Sequence, residues 1–184
     1  MTTILGISGS LRQASYNTAL LRAMAAAAPA GVEVRIATLH GIPLYDGDVE
    51  AAGIPPAVAA LKEQVVAVDG LLLVSPEYNN AMPGVFKNAI DWLSRPPKDS
   101  PRVFGGRPVA VVGASPGGFG TILAQNAWLP VLRTLGTLPW FGSRLAVSRA
   151  GSVFDAAGGL VDERVREQVA AFIAGFVSFI EEHR

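Results

Sequence analysis

Four consecutive apolar residues, Leu71-Leu72-Leu73-Val74, stand between Asp69-Gly70 and Ser75-Pro76. A run this short, with no polar residue at alternate positions, predicts a strand covered by apolar layers on both faces, the setting of a parallel sheet. Comparable runs recur at residues 4–8, 32–37, 108–112 and 144–147. Between them lie helix-like stretches: 17–28, ended by Pro29 and Gly31; from Pro55 or Pro56 to about 66; 85–93, behind Pro83 and Gly84; 122–135; and an amphipathic 161–180. Residues 40–56 and 95–107 read as Gly/Pro-containing connections. Five strands alternating with five helices predict an α/β, doubly wound, mostly parallel sheet in one domain over residues 1–184.

Composition agrees with that reading and removes several function classes. Half of the 184 residues are hydrophobic and 16% are charged, enough for a sizeable core and too apolar for a disordered chain. Fifteen basic and fifteen acidic residues cancel, so no global charge points to nucleic acid or an anionic membrane. Cysteine is absent, which removes disulfides, thiolate nucleophiles and zinc knuckles. No apolar run has the length of a membrane span and no signal-like N-terminus is evident; the expected location is cytoplasmic.

In doubly wound sheets a ligand binds beyond the carboxyl ends of the strands. The segments that follow strands 1, 3 and 4 are "GSLRQASYNT", "SPEYNNAMPG" and "GASPGGFGT", the least generic stretches of the chain. The first leads into a helix N-terminus, where free N–H groups and the dipole favour an anion. Ser10, Ser15, Asn17 and Thr18 add neutral donors and Arg12 a charged one. Helix capping by Ser15 or Asn17 is the plainer use of such residues. The loop has neither the lysine of a nucleotide-triphosphate cradle nor the G-x-G-x-x-G of a dinucleotide fold. In the second, Pro76 stiffens a backbone whose polar groups can meet the edge of a planar heterocycle, with Tyr78 nearby; Glu77 is a candidate general base, and a simple turn is the alternative. In the third, Gly117, Gly118 and Gly120 permit close backbone approach and Phe119 can cover a flat ring.

A phosphate site beside two backbone-rich edges has the outline of flavin mononucleotide (FMN). The chain resembles the NADPH-dependent FMN reductase family of flavodoxin-like proteins, through "GSLRQASYN", "SPEYNNAMPGVFKNAIDWLSRP" and "GASPGGFG" in that order, over most of residues 3–150. The resemblance implies a five-stranded sheet of order 2-1-3-4-5 with helices on both faces. It places Ser10, Arg12, Ser15, Asn17 and Thr18 around the FMN phosphate, and Pro76, Glu77, Tyr78 and Asn79 along the isoalloxazine and ribityl region. Ser115, Gly117, Gly118 and Phe119 then line the other side of the ring. Where relatives often carry another aromatic after Asn79, this chain has Asn80. The resemblance also implies a homodimer or homotetramer with NADPH or NADH as co-substrate. Hydride would pass through FMN to a small-molecule acceptor: a quinone, free flavin, chromate or an azo compound.

Chemistry carried by a cofactor requires no catalytic side chain, and none is assigned. His40 and His183 lie outside the three loops. Gly6-Ile7-Ser8-Gly9-Ser10 lacks the last glycine of a nucleophile elbow, and no cluster has metal-ligand spacing. Trp92, Leu93, Ile90, Phe86, Trp128 and Leu132 read as core or subunit contacts. Arg95, Arg102 and Arg107 are candidates for the dinucleotide phosphates, with exposed-loop residues as the alternative. The other function weighed is an FMN-binding electron carrier or redox sensor with little NAD(P)H turnover.

Overall fold

The computed structural model describes residues 1–184. Strands β1 (Thr2–Ser8), β2 (Val32–Ala37), β3 (Gly70–Val74) and β4 (Pro108–Ala114) are all parallel, and with β5 (Leu138–Pro139) they stand in the order 2-1-3-4-5. The expected doubly wound topology is therefore present.

Alternation along the central strands explains their unbroken apolar sequence. Ile4, Leu72, Val74, Ala110, Val112 and Ala114 face one layer with α1 (Tyr16–Ala26) and α8 (Glu163–Glu182). Leu5, Ile7, Leu71, Leu73 and Val109 face the other. There they meet α3 (Pro56–Val66), α4 (Gly84–Leu93), α5 (Ser100–Phe104) and α6 (Ile122–Thr134). Both sides of the strand are core, so neither parity tolerates a polar residue. Phe86, Ile90, Trp92, Leu93, Trp128 and Leu132 are buried, in accord with their reading as core.

Three segments differ from expectation. The presumed loop 40–56 contains a short helix, α2 (Gly47–Ala52), started by the Asp46 carboxylate. This segment is tied down by the Trp92 and Asn88 side chains, which donate to the Pro43 carbonyl at 2.9 and 2.8 Å. The connection 95–107 forms a 3-10 turn (Pro97–Asp99) and α5. The fifth strand, expected at 144–147, is split: Leu138–Pro139 lies beside Pro108–Val109, and β6 (Ala146–Val147) lies beside Gly113–Ala114. The Leu138 and Trp140 N–H groups donate to the carbonyls of Arg107, just before β4, and Val109 within it, which turns the Pro139 nitrogen outward, where a missing N–H costs nothing. Trp140 then packs on Phe172 and Phe176, with ring centroids at 4.9 and 5.7 Å, and the chain leaves the sheet. The excursion opens a cavity of about 310 Å³ against α6. Four-residue α7 (Ala150–Val153) follows β6.

At the amino edge of the sheet, Asp69 accepts from the Thr3 N–H and hydroxyl at 2.7 and 2.8 Å and pairs with Arg184 at 2.7 Å. Partial burial works to raise its pKa, but the hydrogen bonds from Thr3 and Arg184 outweigh it and hold the carboxyl below the ordinary aspartate range. A depressed native pKa stabilises the fold above the unfolded value of about 3.9 and loses that contribution as pH falls through the native one. The stability advantage of the wild type over Asp69→Asn is therefore expected to be constant above about pH 5 and to shrink below about pH 4. Melting temperatures of the two proteins across an acid series check this.

Candidate functional site

The loops after β1, β3 and β4 emerge side by side at the carboxyl edge, around the point where the strand order reverses between β1 and β3. Two close approaches hold them together. A Cβ on Gly9 would overlap the Phe86 ring and lie 2.9 Å from Pro76 Cδ, so the first loop rests directly on the second. A Cβ on Gly113 would overlap the Ser75 carbonyl and the Thr121 hydroxyl, which brings the second and third loops into contact.

In the first loop Ser15 is the N-cap of α1. Its hydroxyl accepts from the Asn17 and Thr18 N–H groups at 3.2 and 3.4 Å. The N–H groups of Gln13, Ala14, Ser15 and Tyr16 donate to no protein acceptor, and they form a run of donors at the positive end of an eleven-residue helix. Ser10 is buried and accepts from the Arg12 N–H. The Arg12 side chain is exposed, with its guanidinium 5.3 Å from the Tyr16 ring centroid. Asn17 and Thr18 do framework work. The buried Asn17 amide donates to the Ala114 carbonyl and accepts from the Ala114 N–H, both at 2.9 Å, clamping α1 to the end of β4. The Thr18 hydroxyl meets that of Ser8 at 2.8 Å.

The second loop is a miniature hairpin. Tyr78 and Ala81 exchange backbone hydrogen bonds at 3.0 and 3.1 Å around Asn79 and Asn80, whose φ angles are 50° and 63°. Two successive left-handed residues make a primed turn, and asparagine is among the few side chains that tolerate that region. This accounts physically for Asn80 where an aromatic residue would be strained. Pro76 is buried; the Tyr78 ring is 54% exposed at the rim. The Glu77 carboxylate accepts from the Leu123 and Ala124 N–H groups at 2.9 and 3.0 Å. It therefore caps α6, whose own N-cap residue, Thr121, sits at φ 68° and provides no side-chain cap.

The third loop is mostly exposed from Pro116 to Phe119, and Phe119 is 75% exposed. Ser115 donates to the Val147 carbonyl and accepts from the Ala150 N–H, which ties the loop to β6 and α7. The Gly117 carbonyl accepts from Arg149, held at φ 51°. All four non-glycine residues with positive φ (Asn79, Asn80, Thr121 and Arg149) lie in loops at this edge, a concentration of strain typical of ligand sites. Sequence reasoning passed over Thr121 and Arg149, although the same carboxyl-edge rule, applied after β6, would have singled out Arg149.

Other candidate groups fall elsewhere. Arg107 and Arg102 lie at the amino end of β4, opposite the three loops. Arg107 donates to the carbonyls of Val103 and Val68, and burial lowers its pKa; Arg102 pairs with Glu63 at 2.9 Å. Arg95 lies 5.5 Å from the Tyr45 ring centroid. Arg107 is thus a framework group, and Arg102 sits in an exposed ion pair. His40 is exposed and meets the Leu11 carbonyl at 3.2 Å, so it braces the first loop from outside. No group of three or more His, Cys, Asp or Glu side chains could hold a metal ion, and no helix is long and apolar enough to cross a membrane.

Comparison with known proteins gives a consistent set of relatives. The family described as NADPH-dependent FMN reductase matches residues 2–152. The NAD(P)H-dependent FMN reductase PA1204 of Pseudomonas aeruginosa is 47% identical over 166 residues, covering 90% of this chain and 88% of that protein. A 2-hydroxy-1,4-benzoquinone reductase of a Burkholderia species is 36% identical over 178 residues, covering 97% and 96%. Among solved structures, the flavoenzyme NAD(P)H:(acceptor) oxidoreductase FerB of Paracoccus denitrificans superimposes with a TM-score of 0.89. It is 32% identical and the match covers 100% of this chain and 99% of that one.

Glu77 separates a capping role from an acid–base role. Glu77→Ala is expected to cost about 1 kcal/mol, lowering the melting temperature by about 2–4 °C. Glu77→Gln keeps an acceptor oxygen and is expected to melt closer to the wild type and to retain turnover. Loss of turnover in the glutamine variant with its melting temperature intact would assign Glu77 to the chemistry.

Proposed function

The chain belongs to the NADPH-dependent FMN reductase family, and on that footing we propose that it binds FMN at the carboxyl edge of its sheet and reduces small-molecule acceptors with NAD(P)H. One observation carries the reading: the run of free N–H groups at the start of α1, beside the Arg12 guanidinium and buried Ser10 and Ser15. Those donors suit a phosphate monoester.

The residues present fit the rest of FMN as well. Exposed Phe119 and half-exposed Tyr78 offer aromatic surface to a flat ring. The rigid hairpin at 78–81 and the glycines at 117 and 118 bring backbone donors and acceptors to the rim without side chains in the way. Asn17, Thr18 and Glu77 hold these loops in place: Asn17 through Ala114, Thr18 through Ser8 and Glu77 through α6. When bound, FMN would supply the redox chemistry between NAD(P)H and the acceptor, which side chains alone do not provide. The protein's part is to hold the phosphate, cover the ring and leave one face open. Quinones are the acceptor class we assign first; free flavin, chromate and azo compounds are further candidates. Self-association as a homodimer or homotetramer, a single domain over 1–184 and a cytoplasmic location belong to the same proposal.

Purified protein loaded with FMN is expected to show a flavin spectrum that bleaches with NADPH under anaerobic conditions and recovers on adding a quinone. Tight FMN binding with negligible NADPH oxidation would indicate a carrier or sensor instead. Arg12→Ala is expected to weaken FMN about tenfold or more, the scale of a lost charged hydrogen bond. Riboflavin, which has no phosphate, is expected to bind equally to both proteins. Equal weakening of the two flavins, followed by fluorescence titration, would remove the phosphate assignment.

A further inference from the structure

The second loop leaves β3 through Ser75, a fully buried residue that carries a hydrogen-bond relay. The Trp128 indole N–H donates to the Ser75 hydroxyl at 3.0 Å, and that hydroxyl donates to the Pro76 carbonyl at 2.9 Å. Trp128 is also fully buried, and its ring is locked edge-on against Phe86, with centroids 5.0 Å apart and planes at 71°. Phe86 in turn lies against Gly9 of the first loop. About one turn before Trp128 along α6, the Ala124 N–H donates to the Glu77 carboxylate. Helix α6 therefore grips the second loop at Ser75 and at Glu77, on either side of Pro76.

Stability alone does not call for polar atoms at Ser75 and Trp128. Replacing both members of a buried pair by apolar groups of the same shape is close to neutral, and the surrounding cluster, with Phe86, Ile90, Val109 and Leu132, is apolar. What the hydrogen bonds add is direction: they fix a distance and an angle where an apolar contact would slide. They do so at the root of the hairpin 78–81. We infer that Trp128, acting through Ser75, is a positioning residue for the ring end of the flavin, fixing where the second loop stands and so how its backbone edge meets the ring. The inference rests on the proposed function and adds to it a residue that lies in none of the three loops.

Ser75→Ala and Trp128→Phe break the same hydrogen bond but damage the core differently. The first strands an indole N–H; the second leaves a small void. Their melting temperatures are therefore expected to fall by different amounts. Each is nonetheless expected to weaken FMN by the same factor, about tenfold, the upper end for one neutral hydrogen bond. The double variant is expected to weaken it no further, because the two side chains act as one unit. Riboflavin is expected to lose the same factor, since the relay serves the ring, whereas Arg12→Ala spares riboflavin. The visible spectrum of bound FMN is expected to change alike in all three relay variants. Leu132→Val, at a buried position of the same helix, is expected to melt earlier with flavin affinity and spectrum unchanged. Fluorescence titration of the apoprotein and absorption spectra of the loaded protein read these outcomes. Wild-type flavin affinity in Ser75→Ala or Trp128→Phe would overturn the inference, as would losses that add in the double variant or that follow melting temperature across all four proteins. A wild type that binds neither flavin would overturn the proposed function itself, and the role of the relay with it.

Discussion

Burial of β3 and β4 on both faces governs the rest of the molecule. A strand with core on either side can be entered only from one end of the sheet and left only from the other. Every parallel strand here therefore delivers its following loop to the same edge. Loops separated by dozens of residues, at 9–17, 75–81 and 115–121, become neighbours for that reason. The glycines that let them touch, Gly9 and Gly113, matter because the strands beneath have already fixed the spacing.

Within the loops, side chains and backbone divide the work. Asn17, Thr18 and Glu77 carry polar groups that point inward to protein partners. The groups left facing outward are largely backbone N–H and C=O, together with Arg12, Tyr78 and Phe119. Such a site recognises shape and hydrogen-bonding edges and leaves reactivity to what it binds. It also explains how a chain with two exposed or tail histidines and a carboxylate spent on a helix cap can serve an oxidoreductase family.

The fold was legible from the sequence because two-sided burial writes itself as unbroken apolar runs, as at 71–74, and because proline and glycine mark the turns between them. The loops were legible by position, since the carboxyl-edge rule requires only strand order. The partner of each polar side chain was not. Nothing local to Asn17 announces Ala114, which lies 97 positions away, and nothing in "SPEYNN" announces the bare N-terminus of α6. The split fifth strand escaped for a related reason. Leu138 and Pro139 form too short a run to register, and what draws Trp140 out of line is a pair of phenylalanines on the last helix.

That split strand bears on solubility. A sheet edge with a long row of unpaired peptide groups is a template for another chain, and parallel sheets are slow to form and exposed while they do so. Here one margin is broken into two dipeptides, the first of which turns its proline nitrogen outward. The opposite margin, β2, carries the Glu33–Arg35 ion pair at 2.9 Å. Neither border offers a smooth, neutral rail for strand addition. Fibril-like growth is discouraged at both ends of the sheet, and ordered contact between copies is left to helix and loop surfaces, where side chains can discriminate.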